Sequence, residues 1–316
     1  MKWTEFLQNL LAAGIARGTP LLFAALGEML AELSGVLNLG LEGIMLASAM
    51  TGVAAAHLAG SAWVGLLAAV VVGALFGVLH AFLTVTLRCD QVVTGLSLVF
   101  LGTGISSVGG APLVGLRQAA PHFAQLPIPG LCDLPFLGPV LFSHPWPVYL
   151  GFAAVPLVYF FLAHTRAGLN LRAAGETPAA AAAMGIPVAR VRYLYVTLGA
   201  AGSGLAGATL SLAVTPGWVD GLTAGQGWIA IGLVIVGGWR PLPAALGAWL
   251  FGAIHRLTLD LQGTAIPFFQ DPNTGFFLNM LPYLAAVAVL VAASLGRRSG
   301  TAPSTLGRPF VPGTTR

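Results

Sequence analysis

The chain has 316 residues, of which 57% are hydrophobic and 8% are charged, and its formal net charge is +4. Soluble domains carry about 25% charged residues, so this composition excludes an ordinary water-soluble enzyme and indicates a protein surrounded by lipid. Neither the two cysteines, Cys89 and Cys132, nor the six scattered histidines have the spacing of metal ligands. We therefore predict no metal and no cofactor bound by this chain.

Apolar runs follow one another along most of the sequence. About 20 helical residues cross a hydrocarbon core of about 30 Å. Runs of about this length, together with one shorter run, occupy residues 10–31, 39–58, 62–87, 92–110, 145–164, 192–214, 225–238, 242–259 and 276–296. Because backbone polar groups in lipid must be paired within their own segment, these runs are predicted to be helices. The sequence predicts an all-α polytopic membrane protein, with about nine segments (eight to ten), forming one membrane domain over residues 1–298.

The arginines predict the orientation, because cytoplasmic loops carry an excess of Lys and Arg. Placing residues 165–192 in the cytoplasm puts most of the 14 basic residues on that side. They are Arg88, Arg166, Arg172, Arg190, Arg192, Arg240, Arg297, Arg298, Arg308 and Arg316. Nine crossings then place the C-terminus in the cytoplasm and the N-terminus outside. A first segment that only re-enters the membrane would move the N-terminus to the cytoplasm.

Two further segments are predicted to lie outside the helices. Residues 111–144 form an external loop with six prolines, a density that disfavours both helices and central strands. Residues 299–316 are rich in Gly, Pro, Ser, Thr and Arg, a composition typical of disorder. We expect them to form a disordered cytoplasmic tail.

Ionisable residues within membrane segments are costly and by default indicate function. Glu28, Glu32 and Glu42 lie close together in the sequence, with Asn38 between them. Glu28 and Glu32 are four residues apart and share one helical face, and Ser34-Gly35 then interrupts the helix. Two interpretations remain open. The carboxylates either cap or pair at helix ends near the cytoplasmic surface, or they line a central polar pathway.

A second break, TPGWVDGLTAGQGW at 215–228, precedes the short apolar run. Discontinuous helices at corresponding positions of two halves mark substrate sites in transporters, and the regions 20–58 and 195–238 form such a pair by pattern. Trp218 and Trp228 flank this break; they either stack on a ligand ring or belong to an interfacial aromatic belt. The candidate pathway residues are Glu28, Glu32, Asn38, Glu42, Trp218 and Trp228.

The loop at about 165–192 carries signals for a very short helix. Thr177 suits the N-cap, Pro178 the first helical position and Gly185 the position after the end, so the pattern predicts a helix over Ala179–Met184. A helix of barely two turns is marginal alone in water, which indicates that something binds it. The alternative is a surface turn between two membrane helices.

Three stretches resemble regions of bacterial ABC importer permeases for simple sugars, nucleosides and branched-chain amino acids. They are SGVLNLGLEGIML (34–46), RAAGETPAAAAAMGI (172–186) and GWIAIGLVIVGGWRPLPAALGAWLFG (227–252). The first is most similar to the nucleoside and simple-sugar branch, and the likeness extends in order over most of residues 20–296. The resemblance implies a permease subunit in the inner membrane. Its implied partners are an ATPase dimer, a second permease (which would make a heterodimer), an external substrate-binding lipoprotein and membrane lipids, without nucleic acid.

The resemblance also assigns residues. The first signature is matched by Glu32, Ser34, Gly35, Asn38, Gly40, Glu42 and Gly43. The cytoplasmic coupling region is matched by Arg172, Gly175, Glu176, Pro178, Ala180 and Gly185. Together with the short helix predicted from the pattern, the candidate residues for coupling to the ATPase are Arg172, Gly175, Glu176, Thr177, Pro178, Ala180, Ala181, Ala183, Met184 and Gly185. Two positions depart from the pattern: Leu33 stands where many members carry Arg, and Ala179 where many carry Glu. The second departure removes a carboxylate that would pair with the ATPase.

The expected function is transport without covalent chemistry. The only lysine is Lys2, so the chain lacks the phosphate-binding loop G-x-x-x-x-G-K-[ST] and ATP is expected to be used by the partner subunit. Two alternatives remain: a permease for branched-chain amino acids, and an autonomous ion-coupled transporter with Glu28, Glu32 or Glu42 in a proton relay.

Overall fold

The computed structural model describes residues 3–115, 120–263, 272–295 and 302–310. Within these ranges nearly all regular structure is helical. The helices are α1 (Trp3–Leu33), α2 (Leu41–Ala59), α3 (Ala62–Ala81), α4 (Gln91–Gly110), α5 (Leu137–Leu141), α6 (Trp146–His164), α7 (Arg166–Glu176), α8 (Pro178–Ala183), α9 (Val188–Thr209), α10 (Gln226–Val236), α11 (Pro241–Gln262) and α12 (Pro272–Leu295). The π-helical turns Phe82–Thr86 and Leu210–Val214 continue α3 and α9, and the 3-10 turn Ala111–Leu113 continues α4.

Seven helices in the described part of the chain are long and apolar enough to cross a membrane: α1, α2, α3, α4, α6, α9 and α11. Helix α10 has 11 residues, or about 17 Å, and reaches only part of the way across. Helix α12 has 24 residues. The all-α polytopic membrane fold is confirmed, and the count of nine segments stays a prediction.

Helices α1, α2 and α9 form the centre of the molecule, and most of their residues are buried. Small residues let these helices approach closely, as membrane helices often do. A Cβ atom added to Gly199 on α9 would lie 2.6 Å from the carbonyl oxygen of Gly27 on α1. Helices α3, α4, α6 and α11 lie outside this centre and expose large apolar side chains, including Leu67 and Phe100, as expected of surfaces that face lipid.

The proline-rich loop contains more regular structure than the sequence predicts. Strand β1 (Gln125–Pro127) pairs antiparallel with strand β2 (Ser143–Pro145), with Leu126 opposite His144, and α5 lies between them. The prolines are tolerated because both strands are edges of a two-stranded sheet and Pro127 and Pro145 stand at strand ends. The expectation that this loop contains no helix is corrected by the single turn of α5, whereas the two edge strands agree with the expectation that central strands are disfavoured.

Part of the C-terminal segment lies against the helical domain. Residues 302–310, within the range that the sequence predicts to be disordered, pack against α7, α8 and the start of α9. Hydroxyl side chains and one phenylalanine make these contacts, and disorder over 299–316 as a whole stays a prediction.

Candidate functional site

The first break connects α1 to α2 through residues 34–40. Helix α1 ends at Leu33, and Gly35 adopts φ +90, a conformation that glycine accepts without strain. The carboxylate of Glu28, which is 1% exposed, accepts a hydrogen bond of 2.9 Å from the backbone N–H of Asn38. Helix α1 thus holds the segment that follows it.

Two neighbouring helices complete the hydrogen bonds of this break. The backbone N–H of Leu37 donates to Oε1 of Gln91 at 2.7 Å, and the carbonyl of Leu37 lies 3.0 Å from Nε2 of His80. Both side chains are almost completely buried. Sequence reasoning missed these two residues, since their only signal is a polar side chain within or beside an apolar run.

Glu42 links the two breaks. At the start of α2, its Oε1 accepts hydrogen bonds from the hydroxyl of Thr223 and from the N–H of Gly225 at 2.8 Å. Its Oε2 accepts from the N–H of Gly227 at 2.7 Å. The carboxylate therefore lies at the N-terminal ends of both α2 and α10, where the helix dipoles favour a negative charge.

Glu32 accepts a hydrogen bond from a residue that follows the C-terminal end of α10. Its Oε2 accepts a hydrogen bond of 2.6 Å from Nε1 of Trp239. Trp239 has φ +54, a conformation strained for a bulky residue, and the bond to the buried carboxylate explains why tryptophan occupies this position. The sequence gives no signal that pairs these two residues.

Each of the four polar residues of the first break therefore has a partner in the interior. Asn38 accepts a hydrogen bond from the N–H of Gly40 at 2.9 Å, but its Nδ2 is buried without a partner in the described ranges. This geometry agrees with the interpretation in which the carboxylates cap or pair at helix ends. Their place in a transport pathway stays a prediction.

The two tryptophans are not brought together. Trp218 is 5% exposed and packs with Met50 and Leu212, beside the bare backbone of Gly110, so its ring faces are covered. Trp228 is 40% exposed and lines an apolar cavity of 310 Å³ between α10, α11 and α12. The stacking of either tryptophan on a ligand ring stays a prediction, and on this geometry Trp228 is the more accessible of the two.

The loop between α6 and α9 folds into two helices, of which the sequence predicts only the second. Helix α7 begins after Thr165, whose hydroxyl accepts a hydrogen bond of 3.0 Å from the N–H of Gly168. Helix α8 spans Pro178–Ala183, close to the prediction, with Pro178 at its first position and Gly185 at φ +83 after its end. Thr177 stands at the N-cap without a side-chain bond to the helix.

The candidate coupling residues divide into exposed and buried groups. The exposed residues are Arg172, Glu176, Thr177, Ala180, Ala183, Met184 and Gly185, and Pro178 is partly exposed. Gly175 is buried against the backbone of Leu33. Ala181 is 4% exposed and packs with Ala174 and Val188. The expectation that Ala181 faces a partner is corrected, since its methyl group holds α8 to α7 and α9.

The C-terminal segment connects this loop to the first break. Thr305 donates its hydroxyl and its N–H to the carbonyl of Gly175, and Ser304 contacts Glu176 through its hydroxyl and its N–H. The guanidinium of Arg192, which is 2% exposed, donates to the carbonyls of Ser34 at 3.1 Å and Arg308 at 3.2 Å. The loop, the tail and the break therefore lie on the same side of the helical domain.

Comparison with known proteins then identifies the family. A family model described as the permease component of branched-chain amino acid transport systems matches residues 10–294. The chain belongs to this permease family.

Relatives of this permease include three named ABC transporter permease proteins. It is 38% identical to a putative glucose permease of Haloferax volcanii, over 93% of this chain and 94% of that protein. It is 34% identical to a guanosine permease of Bacillus subtilis, over 99% of both chains. A nucleoside permease of Lactococcus lactis is 33% identical, over 94% of this chain and 95% of the other. No solved structure matches it.

These findings confirm the resemblance drawn from the sequence. The permease is a multi-pass membrane subunit of an ABC transporter, and its role is transport. ABC transporters of this kind work with an ATPase and a substrate-binding protein, so partners of both kinds are implied.

Proposed function

We propose that this permease forms the translocation pathway of an ABC importer that carries a nucleoside or a simple sugar. The support is the set of relatives named for guanosine, nucleosides and glucose, each aligned over more than nine-tenths of its length. The family model is described by branched-chain amino acids. That substrate class is therefore the alternative to be tested.

The observation that carries the proposal is the ordered loop of α7 and α8. Helix α8 exposes small side chains at Ala180 and Ala183 beside Met184, which is 83% exposed. A smooth helical knob of this kind fits a groove on an ATPase subunit, with Arg172 and Glu176 available for charge-assisted hydrogen bonds. No ATP is bound by the permease itself; the partner uses it.

Contacts at the end of α7 and the start of α9 connect the loop that carries α8 to the membrane interior. Gly175 at the end of α7 packs on Leu33, and Arg192 at the start of α9 bonds to Ser34. A displacement of the loop would thus reach the break that Glu28 and Glu42 hold. Transport requires the nucleotide states of the ATPase to favour different permease conformations. The contacts of Gly175 and Arg192 with the first break transmit this preference from the ATPase to the membrane interior.

The proposed assembly contains a second homologous permease, an ATPase dimer and an external binding lipoprotein. We place the permease in the plasma membrane, with the loop, the tail and the C-terminus in the cytoplasm. This orientation follows the arginine bias, and the contact of the tail with the loop keeps both on one side.

Uptake in proteoliposomes tests the proposal. The permease, reconstituted with its ATPase, second permease and binding protein, should accumulate a labelled nucleoside or sugar only when ATP is enclosed with the ATPase. Uptake of leucine instead would support the amino-acid alternative. Uptake by the permease alone, driven by a proton gradient, would overturn the proposal in favour of a secondary transporter.

A further inference from the structure

A basic cavity of 540 Å³ lies between the end of α3 and the start of α9. It adjoins the loop of α7 and α8 (residues 165–187), which we call the coupling loop. Arg88, Arg190 and Arg192 line it, and among the residues that the structure describes no acidic one does. Its other walls include Val85, Ile186, Val188 and Phe310. The cavity is thus cationic at one part of its wall and apolar at another.

The charge of these arginines is not balanced by nearby carboxylates. In the described ranges the only ion pair joins Arg256 to Asp260, so none of the three arginines has a carboxylate oxygen within 4 Å. Arg192 is nearly fully buried, and its hydrogen-bond partners in the described part of the chain are two carbonyls and the hydroxyl of Thr305. A buried cation with neutral partners alone favours an anion beside it.

The backbone at Arg88 gives an independent reason to assign its side chain a role. Arg88 follows the π-helical turn that ends α3 and has φ +57. Glycine is the usual residue at such a position after a helix. An arginine at this position therefore has a conformational cost. Trp239 also has a positive φ, and its side chain has a buried partner, the carboxylate of Glu32.

The surroundings favour a lipid. Phe82 and Leu87 at the end of α3 are about half exposed, so this part of α3 presents an apolar face to the membrane. Val85, which lies between these two residues in the sequence, lines the cavity together with Arg190 of the basic loop, so the cavity adjoins both the apolar face and the basic loop. An amphiphile with an anionic headgroup satisfies both walls, since basic residues at the membrane surface attract anionic lipids.

We propose that this cavity binds a phosphate group, supplied by an anionic phospholipid of the leaflet on the coupling-loop side. The headgroup phosphate contacts Arg88 and Arg190, and the glycerol and acyl region lies along Val85 and the exposed face of α3. Because Arg192 and Phe310 also hold the tail, the bound lipid stabilises the tail and α8 in the arrangement seen here.

Native mass spectrometry on the purified full-length chain tests this site. The chain, in neutral detergent, is titrated with phosphatidylglycerol or phosphatidylcholine, and bound lipid is counted. The double variant Arg88→Gln/Arg190→Gln should bind phosphatidylglycerol about 30-fold more weakly than the wild type, at about one decade per 1.4 kcal/mol. The control Arg166→Gln/Arg240→Gln removes the same charge from exposed positions outside the cavity and should bind as the wild type does.

A second variant controls for misfolding of the double variant. Arg88→Gly removes one guanidinium and also relieves the left-handed backbone, so it should fold at least as well as the wild type and bind about fivefold more weakly. Equal binding of phosphatidylglycerol by the wild type and both cavity variants would overturn the proposal.

The remaining outcomes separate the sources of the anion. If inorganic phosphate binds with the same dependence on Arg88 and Arg190, and phosphatidylglycerol gains nothing over it, the phosphate site stands and its ligand is soluble. If neither phosphate compound binds but the double variant loses its ATPase, the arginines contact acidic residues of the partner. The phosphate proposal is then wrong.

Discussion

The carboxylate of Glu42 accepts a hydrogen bond of 2.7 Å from the backbone N–H of Gly227, and this bond joins the first turn of α2 to the first turn of α10. Both helices begin inside the molecule, where their free N–H groups need acceptors. One side chain supplies an acceptor to α10 and places a negative charge at the start of both helices.

Replacing Glu42 should therefore disturb both breaks together. Glu42→Leu leaves the donors of Thr223, Gly225 and Gly227 without an acceptor, and hydrogen bonds to charged groups contribute about 1.5–3 kcal/mol each. We expect a clear fall in the melting temperature of the purified permease and loss of uptake. Asp133→Asn, in the proline-rich loop and exposed, is the control and should change neither quantity. A Glu42→Leu permease that transports normally would show that the bonds are dispensable.

Much of this fold follows from the sequence, because hydrophobic length sets where membrane helices run. The runs at 39–58 and 145–164 differ by at most two residues from α2 and α6. The helix over Ala179–Met184 was predictable from Pro178 and Gly185 alone, since these residues have fixed preferences at helix ends. Local signals of this kind do not depend on the rest of the chain.

The polar site was predictable only in part, because its bonds connect residues far apart in the sequence. Glu28, Glu32 and Glu42 stand out as charges in apolar segments, but their partners are backbone amides, the hydroxyl of Thr223 and the indole of Trp239. Gln91 and Trp239 carry no local mark of a role. The burial of Trp218 and the docking of the tail likewise depend on surfaces that only the assembled helices create.

The exposed and buried faces of α8 give a second prediction. Ala180 is exposed and Ala181 is buried, so one bulky substitution should act on different interactions at the two positions. Ala180→Trp should leave the melting temperature of the permease within about 1 °C and reduce co-purification of the ATPase. Ala181→Trp overpacks the contact with Ala174 and Val188, which typically costs about 1–3 kcal/mol, and should lower the melting temperature.

Ala163→Trp, also at an exposed alanine but in α6, is the matched control for size. It should retain both stability and the ATPase. If Ala180→Trp retains the ATPase as well as this control does, α8 is only a connection between membrane helices.

The docked tail gives a third prediction, which hydrogen exchange measures. The ring of Phe310 packs against the cluster of Ala174, Ala181 and Val188. Phe310→Ala removes part of an apolar contact of about 1–2 kcal/mol, so the amides of Thr305 and Arg308 should exchange about tenfold faster, since exchange reports local opening. Val219→Ala, exposed in the second break, is the control. Equal exchange in all three proteins would show that Phe310 does not hold the tail.

The orientation gives the last prediction, and the chain is suited to it because its two cysteines are free and lie at different ends of the helices. Cys89 is exposed after α3, beside the basic cavity and the coupling loop, and Cys132 lies in the proline-rich loop before α5, which we predict to be external. In intact cells, a membrane-impermeant maleimide should label the Cys89→Ser variant, which retains Cys132, and leave the Cys132→Ser variant unlabelled. Permeabilised cells are the control, since there the exposed Cys89 should react at least as fast as Cys132. Labelling of Cys89 alone in intact cells would place the coupling loop outside, where no ATPase reaches it, and would contradict both the orientation and the proposed coupling.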